Sequence, residues 1–314
     1  MVINFLLILI GLILLVVGAE GLVRGSSSAA LRLGVTPLVI GLTIVAFGTG
    51  SPELAVSIGS ALNGNSGLAL GNVIGSNISN IALILGIAAV IKPLNVKAEI
   101  VRRETPIMVF VTGILWVLLY DGELSRIDGA ILTVGAVAYT FLTYYLSRQN
   151  QKKEVIKEFE EAYTQPKGAA WKDILYIISG LILLVLGANL LVDGAIGIAK
   201  FYGLSEVVIG LTVIAIGTSL PELATSAIAA KKGEADVALG NAIGSNVLNI
   251  LAVLGITALI QPILIEGVRT IDLGVMLGSA ISLNLLLGRK FVLDRVEGSI
   301  LIIGYIIYVY SLIP

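Results

Sequence analysis

Cysteine and histidine are both absent from this 314-residue chain, and charged residues make up only 13% of it. Without cysteine there can be no disulfide, no thiolate metal site and no thiol nucleophile. Without histidine the chain lacks the most common general base and the usual nitrogen ligand of zinc and haem iron. The net charge of −1 provides no basic field, so we expect no nucleic-acid partner.

Apolar residues are abundant instead, at 57%, and the mean hydropathy is +1.00. An ordinary soluble domain contains roughly 45–50% apolar and ~25% charged residues. The apolar residues fall in blocks of roughly twenty, the length that a helix needs to cross a ~30 Å hydrocarbon core. The composition therefore predicts an all-α integral membrane protein surrounded by the lipid bilayer.

The chain contains an internal sequence repeat. Residues 11–86 align without a gap on residues 180–255, at a constant offset of 169, and 40 of the 76 pairs are identical. Shared hydrophobicity would explain matched Leu and Val, but not matched Gly, Pro, Asn and Glu. We therefore predict two repeats, at 1–147 and 173–314, joined by a short polar linker at 148–172.

Each repeat contains five apolar segments. The predicted spans are 3–23, 36–61, 67–91, 105–120 and 127–147, followed by 173–199, 206–230, 236–260, 269–288 and 298–313. Because five is an odd number, the second repeat must enter the membrane from the opposite side. We therefore predict ten transmembrane helices arranged as two inverted five-helix repeats, an architecture of secondary transporters.

The distribution of basic residues orients these spans. With the N-terminus outside the cell, 17 of the 20 Lys and Arg residues fall in loops on the inward side. Short loops rich in Lys and Arg face the cytoplasm. We therefore predict a multi-pass protein of the plasma membrane, with both termini extracellular and the linker cytoplasmic.

A glutamate lies in the middle of an apolar span in each repeat. Residues 48–53 read Gly-Thr-Gly-Ser-Pro-Glu, and the matched residues 217–222 read Gly-Thr-Ser-Leu-Pro-Glu. An ionisable residue near the bilayer centre costs at least about 2.5–3.5 kcal/mol. Since no Lys or Arg lies in a span centre, the balancing charge is either a proton or a bound cation.

The neighbouring residues favour a cation. Pro52 lacks an N–H and clashes with the carbonyl of Gly48, and Pro221 has the same effect in the second repeat, so both helices are expected to unwind. Free carbonyls at membrane depth are tolerated only where they face protein, water or an ion. Thr49 and Glu53 share one helix face. The alternative is that each motif only kinks its helix around a protonated, hydrogen-bonded glutamate.

The next helix of each repeat carries a polar stripe with a spacing of four residues. The stripe consists of Asn72, Ser76 and Asn80 in the first repeat and of Asn241, Ser245 and Asn249 in the second. Asn80 and Asn249 lie furthest into their spans and are the better ligand candidates. For the other asparagines of this motif, hydrogen bonding between helices is an equally good explanation.

Carboxylate and amide oxygens, with hydroxyls nearby, are ligands for hard cations. Ca²⁺ takes six to eight oxygens at about 2.3–2.6 Å, whereas Mg²⁺ retains its waters and prefers a strict octahedron. Two carboxylates neutralise one Ca²⁺ or two Na⁺. Because the same oxygens cannot hold both ions at once, these residues predict the exchange of one ion for the other.

The doubled Gly-Thr-x-x-Pro-Glu and Gly-Asn-x-x-Gly-Ser-Asn motifs, within 41–86 and 210–255, resemble the alpha repeats of the calcium/cation antiporter superfamily. The resemblance covers essentially the whole chain and is to the prokaryotic sodium/calcium exchangers. It implies ten helices, a site at the membrane midplane and alternating access in which the first helix of each repeat slides. It also implies transport of Ca²⁺ and Na⁺ by a protein that is not an enzyme and has no cofactor.

The resemblance also implies roles for individual residues. The calcium and sodium ligands would be Glu53, Glu222, Asn80, Asn249, Thr49 and Thr218. The flanking sodium positions would be lined by Ala46, Ala215, Ser76, Ser245 and Ser219. Further candidates are Ser51, Asn72 and Asn241.

Two departures from the family pattern leave the number of coupling ions and any potassium dependence open. Some family members have an acidic residue at the position of Asn249, which would add one negative charge. Gly50 stands where the family often has Ser, so a flanking sodium position loses one hydroxyl.

Three other functions are also considered. The first is a proton/calcium antiporter of the same superfamily, because two adjacent carboxylates would share a proton when no cation is bound. The second is a cation channel, although an inverted repeat places its pseudo-axis in the membrane plane rather than along a pore. The third is an intramembrane enzyme, which the absence of any accompanying nucleophile or cofactor motif disfavours.

Overall fold

The computed structural model describes residues 2–149, 169–202, 215–265 and 267–312. The helices are α1 Val2–Leu33, α2 Pro37–Thr49, α3 Ser51–Leu62, α4 Ser66–Ile91, α5 Ile100–Asp121, α6 Arg126–Gln149, α7 Ala170–Phe201, α8 Ala215–Gly217, α9 Leu220–Lys232, α10 Ala235–Ile260, α11 Thr270–Lys290 and α12 Arg295–Tyr310. Four two-residue strands, β1 Leu94–Asn95, β2 Glu123–Leu124, β3 Ile263–Leu264 and β4 Val292–Leu293, lie in the connections.

Seven described helices are long and apolar enough to cross a membrane. They are α1, α4, α5, α6, α7, α10 and α11, and the bent pair α2 and α3 forms an eighth span if counted as one. The prediction of an integral membrane protein built of helices is confirmed. Most of the predicted linker and the first part of the predicted span 206–230 lie outside the described residues.

The first helix of each half is longer than its hydropathy predicts. α1 and α7 each contain 32 residues, which corresponds to about 48 Å of helix. The apolar run of α1 ends near Arg24, but Ser26 and Ser27 are buried and continue the helix. The Ser27 hydroxyl donates to the Glu234 carboxylate. Beyond the apolar run, α1 is therefore held to the protein by a polar contact. Burial raises the pKa of Glu234, and this hydrogen bond acts in the opposite direction.

Helices α1 and α7 run antiparallel and touch through glycines. A Cβ on Gly11 would lie 2.7 Å from the carbonyl oxygen of Gly187, and a Cβ on Gly18 would lie 2.8 Å from that of Gly180. Small residues let helix backbones approach closely in a membrane, where packing replaces the hydrophobic effect as the driving force. At one end of this pair Arg32 forms an ion pair with Asp173.

Contacts between the two halves occur in reciprocal pairs related by the offset of 169. Strand β1 pairs with β4, while their counterparts β3 and β2 pair with each other. Asn77 Nδ2 donates to the carbonyl of Asn246 at 3.2 Å, and Asn246 Nδ2 donates to the carbonyl of Asn77 at the same distance. Equivalent residues therefore exchange roles across the molecule.

Helices α4 and α10 form the centre of the fold. In the most apolar part of α4, 72% of the residues are buried, and in that of α10, 83%, against 22% for α1. Polar side chains on α4 and α10 consequently face protein rather than lipid. This burial places the predicted polar stripes inside the molecule.

Candidate cation-binding site

Two broken helices bring the paired glutamates into the interior. α2 ends at Thr49, α3 begins at Ser51, and their axes differ by 43°. In the second half α8 ends at Gly217 and α9 begins at Leu220. The predicted breaks before Pro52 and Pro221 are confirmed, and they follow from the N–H that proline lacks and from its clash with the preceding turn.

Glu53 and Glu222 are both fully buried, and hydroxyl groups connect the halves around them. Ser219, in the break just before α9, donates to Glu53 Oε1 at 3.4 Å. Ser76 on α4 donates to the same oxygen at 3.3 Å and lies 3.3 Å from Ser219 Oγ. A carboxylate of the first half is thus held by a residue three positions before the carboxylate of the second.

The two deepest asparagines begin π-helical turns. α4 contains the π-helical segment Asn80–Leu85, and α10 contains Asn249–Leu254. Such turns are rare and frequently occur at functional sites, because the extra residue shifts the register of the following side chains. In both helices the regular α-helical hydrogen-bond pattern therefore changes at the asparagine that is proposed as a ligand.

A second pair of asparagines orients these two amides. Asn80 Nδ2 donates to Asn246 Oδ1 at 3.1 Å, and Asn249 Nδ2 donates to Asn77 Oδ1 at 3.1 Å. Since each NH₂ group is held by the opposite half, each amide oxygen is left for another partner. Asn77 and Asn246 are positioning residues in this arrangement.

The site contains an excess of oxygen atoms without hydrogen-bond partners. Within the described part of the chain these buried atoms are Glu53 Oε2, both carboxylate oxygens of Glu222, Asn80 Oδ1, Ser245 Oγ and the hydroxyls of Thr218 and Thr225. A buried polar atom without a partner costs about 1–3 kcal/mol, and more when it is charged. Four of these atoms, the three carboxylate oxygens and Asn80 Oδ1, can only accept, which favours a cation as the missing partner.

Glycine at position 50 brings oxygens of the second half close to the first break. A Cβ added to Gly50 would lie 3.5 Å from Asn249 Oδ1 and 4.0 Å from Glu222 Oε1. The missing side chain leaves space beside both of these oxygens. Gly50 therefore contributes room rather than a ligand.

Two further asparagines fasten each glutamate helix to its neighbour. Asn72 Nδ2 donates to the Glu53 carbonyl at 3.2 Å and to Ser57 Oγ at 3.0 Å. Asn241 makes the matching bonds to Glu222 and Ser226, and its Oδ1 accepts from Thr49 at 3.2 Å. Asn72 and Asn241 thus hold the helices together, and their NH₂ groups satisfy carbonyls at the broken helices.

Several candidates occupy positions that the spacing did not predict. Ser51 is exposed and donates to the Phe47 carbonyl at 3.1 Å, so it is not brought to the cluster. The carbonyl of Ala46 accepts the N–H of Gly50 at 3.0 Å and is not freed by the break. In the second half Ser219 N–H donates to Ile216 instead of to Ala215. The breaks therefore differ in detail.

One residue of the cluster was missed. Ser79 Oγ lies 3.4 Å from Ser219 Oγ and is buried beside the glutamates. Comparison of the two repeats did not indicate Ser79, because the matched residue of the second repeat is Leu248. The signal that was present is its position one turn after Ser76, on the same polar face.

No basic residue balances the glutamates. Across the described ranges, neither Glu53 nor Glu222 forms an ion pair, and no three acidic side chains cluster. A bound cation would therefore be coordinated by two carboxylates together with neutral amide and hydroxyl oxygens. Hard cations such as Ca²⁺ and Na⁺ accept such a set, whereas thiolate- and imidazole-dependent metals do not.

A multi-pass helical membrane protein with buried, uncompensated carboxylates at broken helices belongs to the class of transporters for inorganic cations. The sodium/calcium exchanger protein family matches the chain twice, over residues 3–145 and 172–313. The chain therefore belongs to the sodium/calcium exchanger family and is a cation/Ca²⁺ antiporter, not an enzyme.

Individual relatives span nearly the same length. The putative antiporter CaxA of Alkalimonas amylolytica is 41% identical and covers 99% of both chains. The sodium/calcium exchanger MaX1 of Methanosarcina acetivorans is 32% identical over 99% of this chain and 98% of the other. The solved structure of the sodium-calcium exchanger NCX_Mj soaked with 10 mM Na⁺ and zero Ca²⁺ superposes with a TM-score of 0.86, at 32% identity and over 99% of both chains.

Proposed function

We propose that this protein exchanges Ca²⁺ against Na⁺ by alternating access to a site at the membrane midplane. The main supporting observation is that Glu53 and Glu222 are fully buried and that three of their four carboxylate oxygens have no hydrogen-bond partner. Among the described residues neither glutamate forms an ion pair with a basic residue. Two negative charges match one Ca²⁺ or two Na⁺, so one ion must leave before the other is bound.

The proposed ligands are the residues that converge on this pair. Glu53, Glu222, Asn80 and Asn249 form the centre, and Ser76, Ser219, Ser245, Thr49 and Thr218 supply hydroxyls around it. Ala46 and Ala215 remain candidates through their carbonyl oxygens, although the Ala46 carbonyl already accepts the Gly50 N–H and the Thr49 hydroxyl. A carbonyl has two lone pairs, so a cation at Ala46 would have to displace one of these bonds, and the Thr49 bond is the longer at 3.5 Å.

We further infer that the fold consists of two inverted five-helix repeats, 1–147 and 173–314, with ten transmembrane helices. The antiparallel packing of α1 on its counterpart α7 supports opposite orientations of the halves. The reciprocal strand pairs and the Asn77 and Asn246 bonds support a twofold axis that passes through the centre. The basic loops then place both termini outside the plasma membrane and the 148–172 linker inside the cell.

The coupling ion is tested in liposomes that contain the purified protein and are loaded with Na⁺. Both sides are held at the same pH, and uptake of labelled Ca²⁺ is measured after dilution into Na⁺-free medium. We expect uptake that disappears when choline replaces the internal Na⁺. Uptake that follows only an imposed pH gradient would instead identify a proton/calcium antiporter. Ca²⁺ flux at channel rates without any counter-ion would identify a channel.

Asn249→Asp is expected to shift selectivity towards the divalent ion. The substitution adds a third carboxylate at almost constant volume, and ligand charge strongly affects Ca²⁺ affinity. The concentration of Na⁺ that half-inhibits Ca²⁺ binding should rise by about tenfold, corresponding to about 1.4 kcal/mol. Asn63→Asp, at an exposed position, is the matched control. An unchanged ratio in Asn249→Asp would remove Asn249 from the proposed ligands.

A further inference from the structure

A groove of about 630 Å³ lies between α11 and α12, outside the cation site. Its walls run from Val275 and Tyr308 at one end to Arg289 and Ile300 at the other, and α4 forms its floor. Residues 275 and 289 are fourteen steps apart along α11, which corresponds to about 21 Å of helix. One leaflet of a ~30 Å hydrocarbon core is about 15 Å deep, so the groove is long enough for an extended acyl chain.

The groove walls come from the second half, and the matched position in the described part of the first half is filled. Gly304 on α12 has no described atom within 4 Å of a Cβ placed on it. Its counterpart, Gly135, is covered by the Leu251 side chain at 3.3 Å, and the counterpart of Leu251 is Ala82 on the groove floor. The repeat architecture therefore does not require the groove, because a leucine at the matched position of the other half packs against the equivalent glycine.

Three hydroxyl groups along the groove walls already have hydrogen-bond partners within the protein. Ser279 and Ser282 donate to backbone carbonyls of their own helix, at 2.8 and 2.7 Å. The Tyr308 hydroxyl donates to Asp272 at 3.2 Å. Hydroxyls bonded in this way offer little to a polar ligand. The walls therefore present mainly hydrocarbon to an occupant.

One positive charge lies at the end of the groove. Arg289 is exposed and forms no ion pair within the described part of the chain, whereas the neighbouring Lys290 lies 3.6 Å from Asp294. A guanidinium binds phosphate through two parallel hydrogen bonds. An apolar channel that ends at an unpaired arginine is complementary to a phospholipid, with its acyl chain between the helices and its phosphate at the arginine.

We propose that this groove is a binding site for one anionic phospholipid. Its acyl chain lies along α11 and α12 and contacts Ile78 and Ala82, and its phosphate binds Arg289. Ile78 and Ala82 lie on α4 on either side of Asn80 in the sequence, so the bound lipid packs against the helix that carries a central residue of the cation site.

The test is native mass spectrometry of the full chain after incubation with phosphatidylglycerol or phosphatidylcholine. We expect one retained phosphatidylglycerol per chain. Ala82→Leu, which copies Leu251 into the floor, should weaken retention by at least about tenfold, because the acyl chain loses its contact area. Gly304→Leu provides a second filling variant and should act in the same direction.

The headgroup contact is tested by Arg289→Gln, with Arg295→Gln as the matched control. Arg295, the first residue of α12, is also an exposed arginine, but it does not line the groove. Arg289→Gln should weaken phosphatidylglycerol binding by about fivefold, since one basic residue contributes about that factor at an anionic lipid surface. It should weaken phosphatidylcholine binding less, because the choline cation offsets the charge of the phosphate. Arg295→Gln should affect neither.

Three results would overturn the proposal. The first is equal lipid retention by the wild-type chain and a folded filling variant. The second is equal retention of the two lipids by the wild-type chain, which would identify a nonspecific apolar surface. The third is a lipid-free dimer that Ala82→Leu dissociates, which would identify a second copy of the chain as the occupant.

Discussion

Glu222→Gln and Glu53→Gln are each expected to reduce Na⁺-driven Ca²⁺ uptake by at least about 100-fold. Each substitution preserves the shape of the side chain but removes one of two charges that have no basic partner in the described residues. A divalent ion would then retain one uncompensated charge at membrane depth, where such a charge costs at least about 2.5–3.5 kcal/mol. A difference of 2.7 kcal/mol corresponds to about 100-fold in an equilibrium constant.

Labelled Ca²⁺ uptake in liposomes with matched protein content measures this effect. Glu123→Gln is the control, because Glu123 is an exposed glutamate in β2, far from the broken helices in sequence. The elution profile in detergent should be the same for all three variants. Uptake at the wild-type rate by either of the first two would remove the paired glutamates from the mechanism.

Gly244→Val is expected to lower the free energy of unfolding by about 3 kcal/mol. A Cβ at this position would lie 2.6 Å from both Cα and the carbonyl oxygen of Leu42, so α10 would have to move away from the π-helical turn Gly41–Val45 of α2. Overpacking usually costs about 1–3 kcal/mol, and backbone atoms cannot rotate away as a side chain can. The midpoint of thermal unfolding in detergent measures the loss.

Gly113→Val is the control for this substitution. Gly113 also lies within a membrane-spanning helix, α5, but no described atom is within 4 Å of a Cβ placed on it. The two variants therefore make the same change to intrinsic helix propensity and differ in packing. Equal midpoints for Gly244→Val and Gly113→Val would show that the close approach of α10 and α2 contributes nothing to stability.

The site derives its chemistry from an imbalance between hydrogen-bond donors and acceptors. The NH₂ groups of Asn80 and Asn249 are held by Asn246 and Asn77, while three of the four carboxylate oxygens of the glutamates and Asn80 Oδ1 have no donor. Loss of a positioning asparagine should therefore weaken ion binding through the orientation of its neighbour. Asn77 and Asn246 thus orient the proposed ligands, in addition to joining helices by hydrogen bonds.

Several properties followed from local sequence alone. Composition and segment length predicted membrane helices, because the thickness of the hydrocarbon core sets the number of apolar residues required. Proline chemistry predicted the positions of the breaks at Gly50 and before Leu220, since a missing N–H acts on its own turn. The glutamates were identifiable because a charge in an apolar span is costly wherever the helix lies.

The assembly of the site depended on the tertiary structure. Spacing places Thr49 and Glu53 on one helix face, but it does not indicate which residues of another helix that face meets. The bonds that join the halves connect residues far apart in the sequence, such as Ser219 and Glu53, which are 166 positions apart. For the same reason the exposure of Ser51, the inclusion of Ser79 and the open groove beside Ala82 emerged only from the fold. Local sequence determines what a side chain can do, and packing between distant segments determines what it touches.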